Sequence, residues 1–209
     1  VLTRSLLVPS DSLKRLVFGG ESGHHNKSLE VLPDGVGGLV SLEELVLDKC
    51  KALRALPSSI GNCTKLTRLS LKECKSLTEL PESVGSCTRL VHLNLMKCVS
   101  LTTLPTTIGS LSNLEDLILW KCKALKTLPD SLGNLKRLVA LSLRDCTQLQ
   151  ELPNSLAGLR SLYELDCKNC KNLRRLFDGV ESLSMLQELD TTDCTSLRQP
   201  TEAPMSPST

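Results

Sequence analysis

The residues of this chain best suited to chemistry are its ten cysteines and three histidines. Seven of the cysteines, Cys50, Cys74, Cys98, Cys122, Cys146, Cys170 and Cys194, stand 24 residues apart. Thiols in such a row could pair as disulfides, hold zinc or act as nucleophiles. Strand-like spacing of about 5 Å would not forbid bridges. Yet a row of identical cysteines has no unique pairing, and an odd number leaves one over. Zinc needs locally paired ligands, and Cys167 with Cys170 is the only such pair in the sequence. His24 and His25, with Glu21, could bind a metal or simply sit in an exposed loop. His92 falls at an outward position with no serine or cysteine nucleophile set against it. No catalytic constellation emerges, so neither an enzyme nor a bound cofactor is expected. Asn26-Lys27-Ser28 and Asn62-Cys63-Thr64 match the glycosylation acceptor pattern, which chance alone produces about this often.

The elements that must position these residues repeat with the cysteines. The frame reads L-x-x-L-x-L-x-x-C-x-x-L-x-x-L-P-x-S-I/V/L-G-x-L/C-x-x. Six uninterrupted units start at Leu42, Leu66, Leu90, Leu114, Leu138 and Leu162. A remnant from Leu186 keeps Leu189, Cys194 and Leu197. At the front, Leu13–Phe18 aligns with Leu42–Leu47; five extra residues lie within Gly19–Ser28, and the frame resumes at Leu29. Alternation such as Leu69-Ser70-Leu71 has period two and predicts a short strand with leucine inward. Leu-Pro then turns the chain. The next residue (Asp34, Ser58, Glu82, Thr106, Asp130, Asn154 or Asp178) suits a helix N-cap. Gly61, Gly85, Gly109 and Gly133 follow so soon that a single 3₁₀ turn is favoured over an α-helix. One unit cannot offset the entropy of its own ordering, so the units must stack.

Composition narrows the function classes. Aromatic residues are only 2% of the 209, so the core must be aliphatic. A net charge of +2 argues for neither nucleic acid nor an anionic membrane as partner. No apolar run approaches the roughly 18 residues of a membrane span. The chain opens on Val1 and is expected to be part of a longer or processed product.

These units resemble leucine-rich repeats, and the form with Leu-Pro-x-Ser-Ile/Val-Gly is similar to that of plant intracellular nucleotide-binding immune receptors. Leu66–Arg89 carries it: L-T-R-L-S-L-K-E-C-K-S-L-T-E-L-P-E-S-V-G-S-C-T-R. The resemblance covers residues 13–197, about eight units, the first with an insertion and the last partial. It implies an α/β solenoid, curved, with a parallel sheet on the concave face and short turns on the convex face. Residues 1–12 have no assigned register, and 198–209, rich in Pro, Ser and Thr, read as a disordered tail or linker. The ladder cysteines occupy the slot where many leucine-rich repeats place asparagine, which implies buried, reduced thiols and a cytoplasmic protein. Cys63, Cys87 and Cys167 replace core leucines. The resemblance further implies a monomeric, ligand-sensing and self-inhibiting segment that holds a nucleotide-binding domain of the same parent chain. Scaffolds that bind small GTPases share the turn, and a ubiquitin-ligase substrate receptor is the alternative; an extracellular receptor fits the cysteines less well. No phosphate-binding loop occurs here. Phe177 in place of the turn proline, and the insertion, put local geometry in question.

In such a solenoid the frame specifies the fold, while the concave positions are free to bind. The slot after the strand reads Gly19, Asp48, Lys72, Met96, Trp120, Arg144, Lys168 and Thr192. The mid-strand slot reads Val17, Val46, Ser70, Asn94, Ile118, Ser142, Asp166 and Asp190. The single Trp stands outward beside Met96, Ile118 and Arg144, a combination typical of interface hot spots. Trp120, Met96, Ile118, Arg144, Lys72, Asn94 and His92 are therefore the expected contacts for a protein ligand. Trp120 lying flat over its neighbours is the competing reading. Lys51, Lys75, Lys123 and Lys171 form a basic row consistent with a solvated edge. Glu164, Asp166, Glu188, Asp190 and Asp193 make the C-terminal end acidic, suited to docking a neighbouring domain.

Overall fold

The structure, a computed structural model, describes residues 11–19 and 28–198. The loop with His24 and His25, the acceptor at Asn26, most of the insertion, residues 1–10 and the tail from 199 onward lie outside the described residues.

Eight short strands form one parallel sheet in chain order: β1 (Arg15–Gly19), β2 (Glu44–Leu47), β3 (Arg68–Ser70), β4 (His92–Asn94), β5 (Asp116–Ile118), β6 (Ala140–Ser142), β7 (Glu164–Asp166) and β8 (Glu188–Asp190). From β2 onward the register follows the repeat, so Leu45, Leu69, Leu93, Leu117, Leu141, Leu165 and Leu189 pair in line. The chain is thus the leucine-rich-repeat solenoid that the 24-residue frame predicts. Each unit buries its frame side chains against the next: Leu66, Leu69, Leu71, Cys74, Leu77, Val84 and Cys87 are fully buried. The stack opens at its C-terminal end, where Leu189 is 42% exposed.

The residue before each ladder cysteine holds the chain's tightest bend. Lys49, Glu73, Lys97, Lys121, Asp145, Asn169 and Asp193 all adopt φ near 60°. Among residues other than glycine, Asn and Asp tolerate this left-handed region best, so the lysines and Glu73 are strained. Backbone bonding holds them: Lys97 N–H donates to Trp120 O at 2.6 Å and Lys121 N–H to Arg144 O at 2.8 Å. These bonds carry the sheet ladder one step past each strand. The sequence pattern did not reveal this bend, because lysine is a poor signal for it.

The ladder thiols stitch the units together. Cys74, Cys98, Cys122, Cys146 and Cys170 each donate Sγ–H to the backbone carbonyl of the leucine 27 residues earlier, at 3.1–3.2 Å. Burial drives their pKa values up: Cys50 to about 11, Cys98 and Cys170 to about 12. Among the described residues no cluster of three or more His, Cys, Asp or Glu could hold a metal ion. No helix there is long and apolar enough to cross a membrane.

The turns are five-residue 3₁₀ segments, as at Ser58–Asn62 and Asp130–Asn134. The residues expected to act as N-caps do not cap their own turns. The preceding proline takes that position, and no side chain bonds there. The side chain reaches one unit onward instead. Glu82 accepts from the backbone N–H groups of Thr106 and Thr107, both at 3.0 Å, and Asn154 from that of Asp178, also at 3.0 Å. The glycines serve close packing rather than an unusual φ. A Cβ on Gly133 would sit 2.0 Å from the carbonyl oxygen of Ser155.

Two departures have local consequences. In the first unit a bulge places Gly19, not Phe18, opposite Leu47. Gly19 therefore ends β1 instead of occupying the slot after it. At Phe177 the missing proline displaces the seventh turn, which shrinks to Val180–Ser182 behind a left-handed Gly179. Phe177 itself becomes core, 3% exposed.

Candidate functional site

The pleat sends three columns of side chains out from the concave face. The first holds the opening residue of each strand: Arg15, Glu44, Arg68, His92, Asp116, Ala140, Glu164 and Glu188. The second and third are the mid-strand and post-strand slots. Units two and three seal part of this surface. Val46 and Ser70 point outward in register yet are 8% and 2% exposed. Ser70 Oγ donates to Asp48 Oδ1 at 2.5 Å, which also accepts from the Lys72 backbone N–H at 3.1 Å.

Further along, the face opens into a shallow depression of about 570 Å³. It collects five of the residues expected from sequence: Asn94, Met96, Ile118, Trp120 and Arg144. Lys72 and His92 do not line it. The structure adds Asp116, Leu117, Ala140, Ser142, Glu164 and Asp166. Small side chains explain the hollow: Ala140 and Ser142 in β6 stand between Asp116 and Ile118 on β5 and Glu164 and Asp166 on β7. Glu164 and Asp166 therefore belong to the concave groove, not merely to an acidic end of the solenoid. Reading the first strand position as a third column would have found Asp116, Ala140 and Glu164.

Trp120 is half-buried and fixed in place. Its Nε1–H donates to Asp145 Oδ2 at 2.8 Å. The ammonium groups of Lys121 and Lys97 lie 4.9 and 5.7 Å from the ring centroid, within cation–π range. Lys97 is steadied in turn by Glu73 Oε1 at 3.2 Å. Burial alone would raise the Asp145 carboxyl. Hydrogen bonds from Asn169 and Trp120, with the charges of Lys121 and Arg144, outweigh it and hold the pKa below the ordinary value. The ring thus rests on neighbouring side chains and still contributes one wall of the depression.

Charge divides the face. Toward the N-terminus, Glu44 pairs with Arg15 at 2.5 Å and Arg68 at 3.4 Å. In the middle, His92 Nδ1 meets Asp116 Oδ2 at 2.5 Å. Beyond that, Glu164 faces Glu188 and Asp166 faces Asp190 across paired strands. Burial, then the charges of Glu188, Asp166 and Asp116, pushes the Glu164 carboxyl above its ordinary value. The groove therefore combines apolar Met96, Ile118 and Trp120 with the carboxylates of Asp116, Glu164 and Asp166 and the guanidinium of Arg144, across a floor of Ala140 and Ser142.

This architecture defines a leucine-rich-repeat protein. No protein-family model and no curated protein matches the chain. Solved structures do. The leucine-rich repeat domain of the type III effector XopL is 27% identical, with a TM-score of 0.61 over 85% of this chain and 71% of that one. A plant ice-binding protein shares the fold at 23% identity and a TM-score of 0.50, over 77% of this chain and 59% of that one. A leucine-rich-repeat protein of Leptospira interrogans is 26% identical, with a TM-score of 0.46 over 81% of this chain; the chain spans 53% of its length.

Proposed function

We propose that the chain is a protein-recognition module whose ligand occupies the concave groove around Trp120. The observation that carries this reading is the coincidence of the only Trp with Met96, Ile118 and Arg144 along one depression. Anchors of this type, pre-organised by hydrogen bonds, give interfaces most of their affinity. The resemblance of the repeat frame to plant intracellular immune receptors supports a finer reading: a cytoplasmic, ligand-sensing segment that restrains a nucleotide-binding domain of its parent chain. The row of hydrogen-bonded thiols suits a reducing compartment.

A photo-crosslinking residue at Ser142, with a second at the exposed Lys171 outside the depression as control, tests the concave reading. The partner captured at Ser142 is then titrated against Trp120→Ala. Binding is expected to weaken by about 2 kcal/mol or more. Equal capture at both positions, or unchanged affinity, would remove the groove as the site. For the finer reading, the parental nucleotide-binding domain is mixed with this segment in trans. Restraint of its nucleotide exchange is expected, and no interaction would leave a free-standing scaffold.

A further inference from the structure

The depression has a chemical polarity that narrows its ligand, an inference resting on the concave-face reading above. We infer that it seats a lysine or arginine side chain of an extended protein segment. The aliphatic stem packs along Ile118, Trp120 and Ala140, and the charged head lies among Asp116, Glu164 and Asp166.

Three observations converge. The hollow is lined both by apolar Met96, Ile118 and Trp120 and by the carboxylates of Asp116, Glu164 and Asp166, with Arg144 also present, so it offers surface for the apolar stem and the charged head of a long basic side chain. Its floor is made by Ala140 and Ser142, small residues of β6 between the larger side chains of β5 and β7. Two of the three acids are also under-compensated, whereas Asp116 meets His92 Nδ1 at 2.5 Å. Glu164 has no side-chain hydrogen bond or ion pair among the described residues, in contrast to Glu44 with its two arginines. Among the same residues the Asp166 carboxylate accepts only from the Lys168 backbone N–H, at 2.9 Å. Arg144 lines the same depression, yet neither it nor Lys168 forms an ion pair with Glu164 or Asp166. No three of these acids converge closely enough for a metal ion. A cation with reach suits them better: a side chain that can span the carboxylates while burying its stem.

The probe is a library of random heptapeptides displayed on phage and selected against the full chain. Selected peptides are synthesised and titrated against Trp120→Ala, Glu164→Gln and the double variant Glu164→Gln/Asp166→Asn, each checked for folding by circular dichroism. Enrichment of lysine or arginine beside an apolar residue is expected, with affinity falling about tenfold or more in the double variant and also in Trp120→Ala. Peptides that need Trp120 but are neither basic nor sensitive to the carboxyl variants would overturn this inference while leaving the concave site intact. Selection yielding no Trp120-dependent binder would overturn both.

Discussion

Individual residues in this protein do two kinds of work, and substitution separates them. Trp120 is half-buried and tied by one hydrogen bond, whereas Leu117 on β5 is fully buried. Trp120→Ala is therefore expected to cost about 1–2 kcal/mol and Leu117→Ala about 2–5 kcal/mol, read from denaturant midpoints. An equal loss at both positions would make Trp120 a core residue. Burial, and then the like charges of Glu188, Asp166 and Asp116, raises the Glu164 carboxyl above its ordinary value. Its raised pKa contributes stability only below the ordinary carboxyl range, and that stability is lost as pH rises through the shifted value. At neutral pH Glu164→Gln should thus raise the melting temperature by a few degrees, about 2 °C; a fall would show that the carboxylate has a favourable partner. The thiols follow the same sign. Burial raises Cys87 and Cys98 from 9.0 to about 12, so their stabilisation is complete below pH 9 and drains away toward pH 12. Native protein should resist thiol reagents at pH 8, with half-buried Cys194 reacting first. After denaturation without reductant all ten should titrate. Disulfides in freshly purified protein would contradict a reduced ladder.

At the scale of the element, the turns explain what the sequence made legible and what it hid. Leucine alternation, Leu-Pro and the short glycine-bearing segment led directly to strands and 3₁₀ turns, because these patterns reflect burial and fixed φ. Contacts between units were not legible. Glu82 caps the turn of the following unit, and no pattern within one unit reveals a bond 24 residues away. The seven left-handed residues were hidden for the opposite reason: the surrounding ladder imposes a conformation that lysine would not choose alone. Glycine follows the same inter-unit logic. Gly133 packs against Ser155, while its counterpart Ala157 is partly buried beside Gly179 and the displaced turn, at ordinary van der Waals distance. Gly133→Ala should therefore destabilise the fold by about 1–3 kcal/mol, whereas Ala157→Gly should change it by less than about 1 kcal/mol. Equal effects would mean that glycine serves turn flexibility instead of inter-unit contact.

The whole molecule is a stack whose stability arises between units, so its length matters more than any single contact. A fragment covering residues 42–87 retains two units with both ends open. It is expected to show no cooperative transition by circular dichroism, and native-like folding would show that one interface suffices. The candidate site is likewise a property of the stack, since Trp120, Ala140 and Glu164 come from three successive units. Sequence reading found its aromatic and apolar members because Trp and Met are conspicuous outside the frame. It missed the acidic members because they come together only when β5, β6 and β7 stand side by side. The most direct measurement of the central claim is the calorimetric affinity of one concave-face binder for the native chain, Trp120→Ala, Met96→Ala and Lys171→Ala, all shown to be folded. Loss of about 2 kcal/mol or more at Trp120, a smaller loss at Met96 and none at Lys171 is the expected result. Equal affinity across the four proteins would contradict a binding site in the groove.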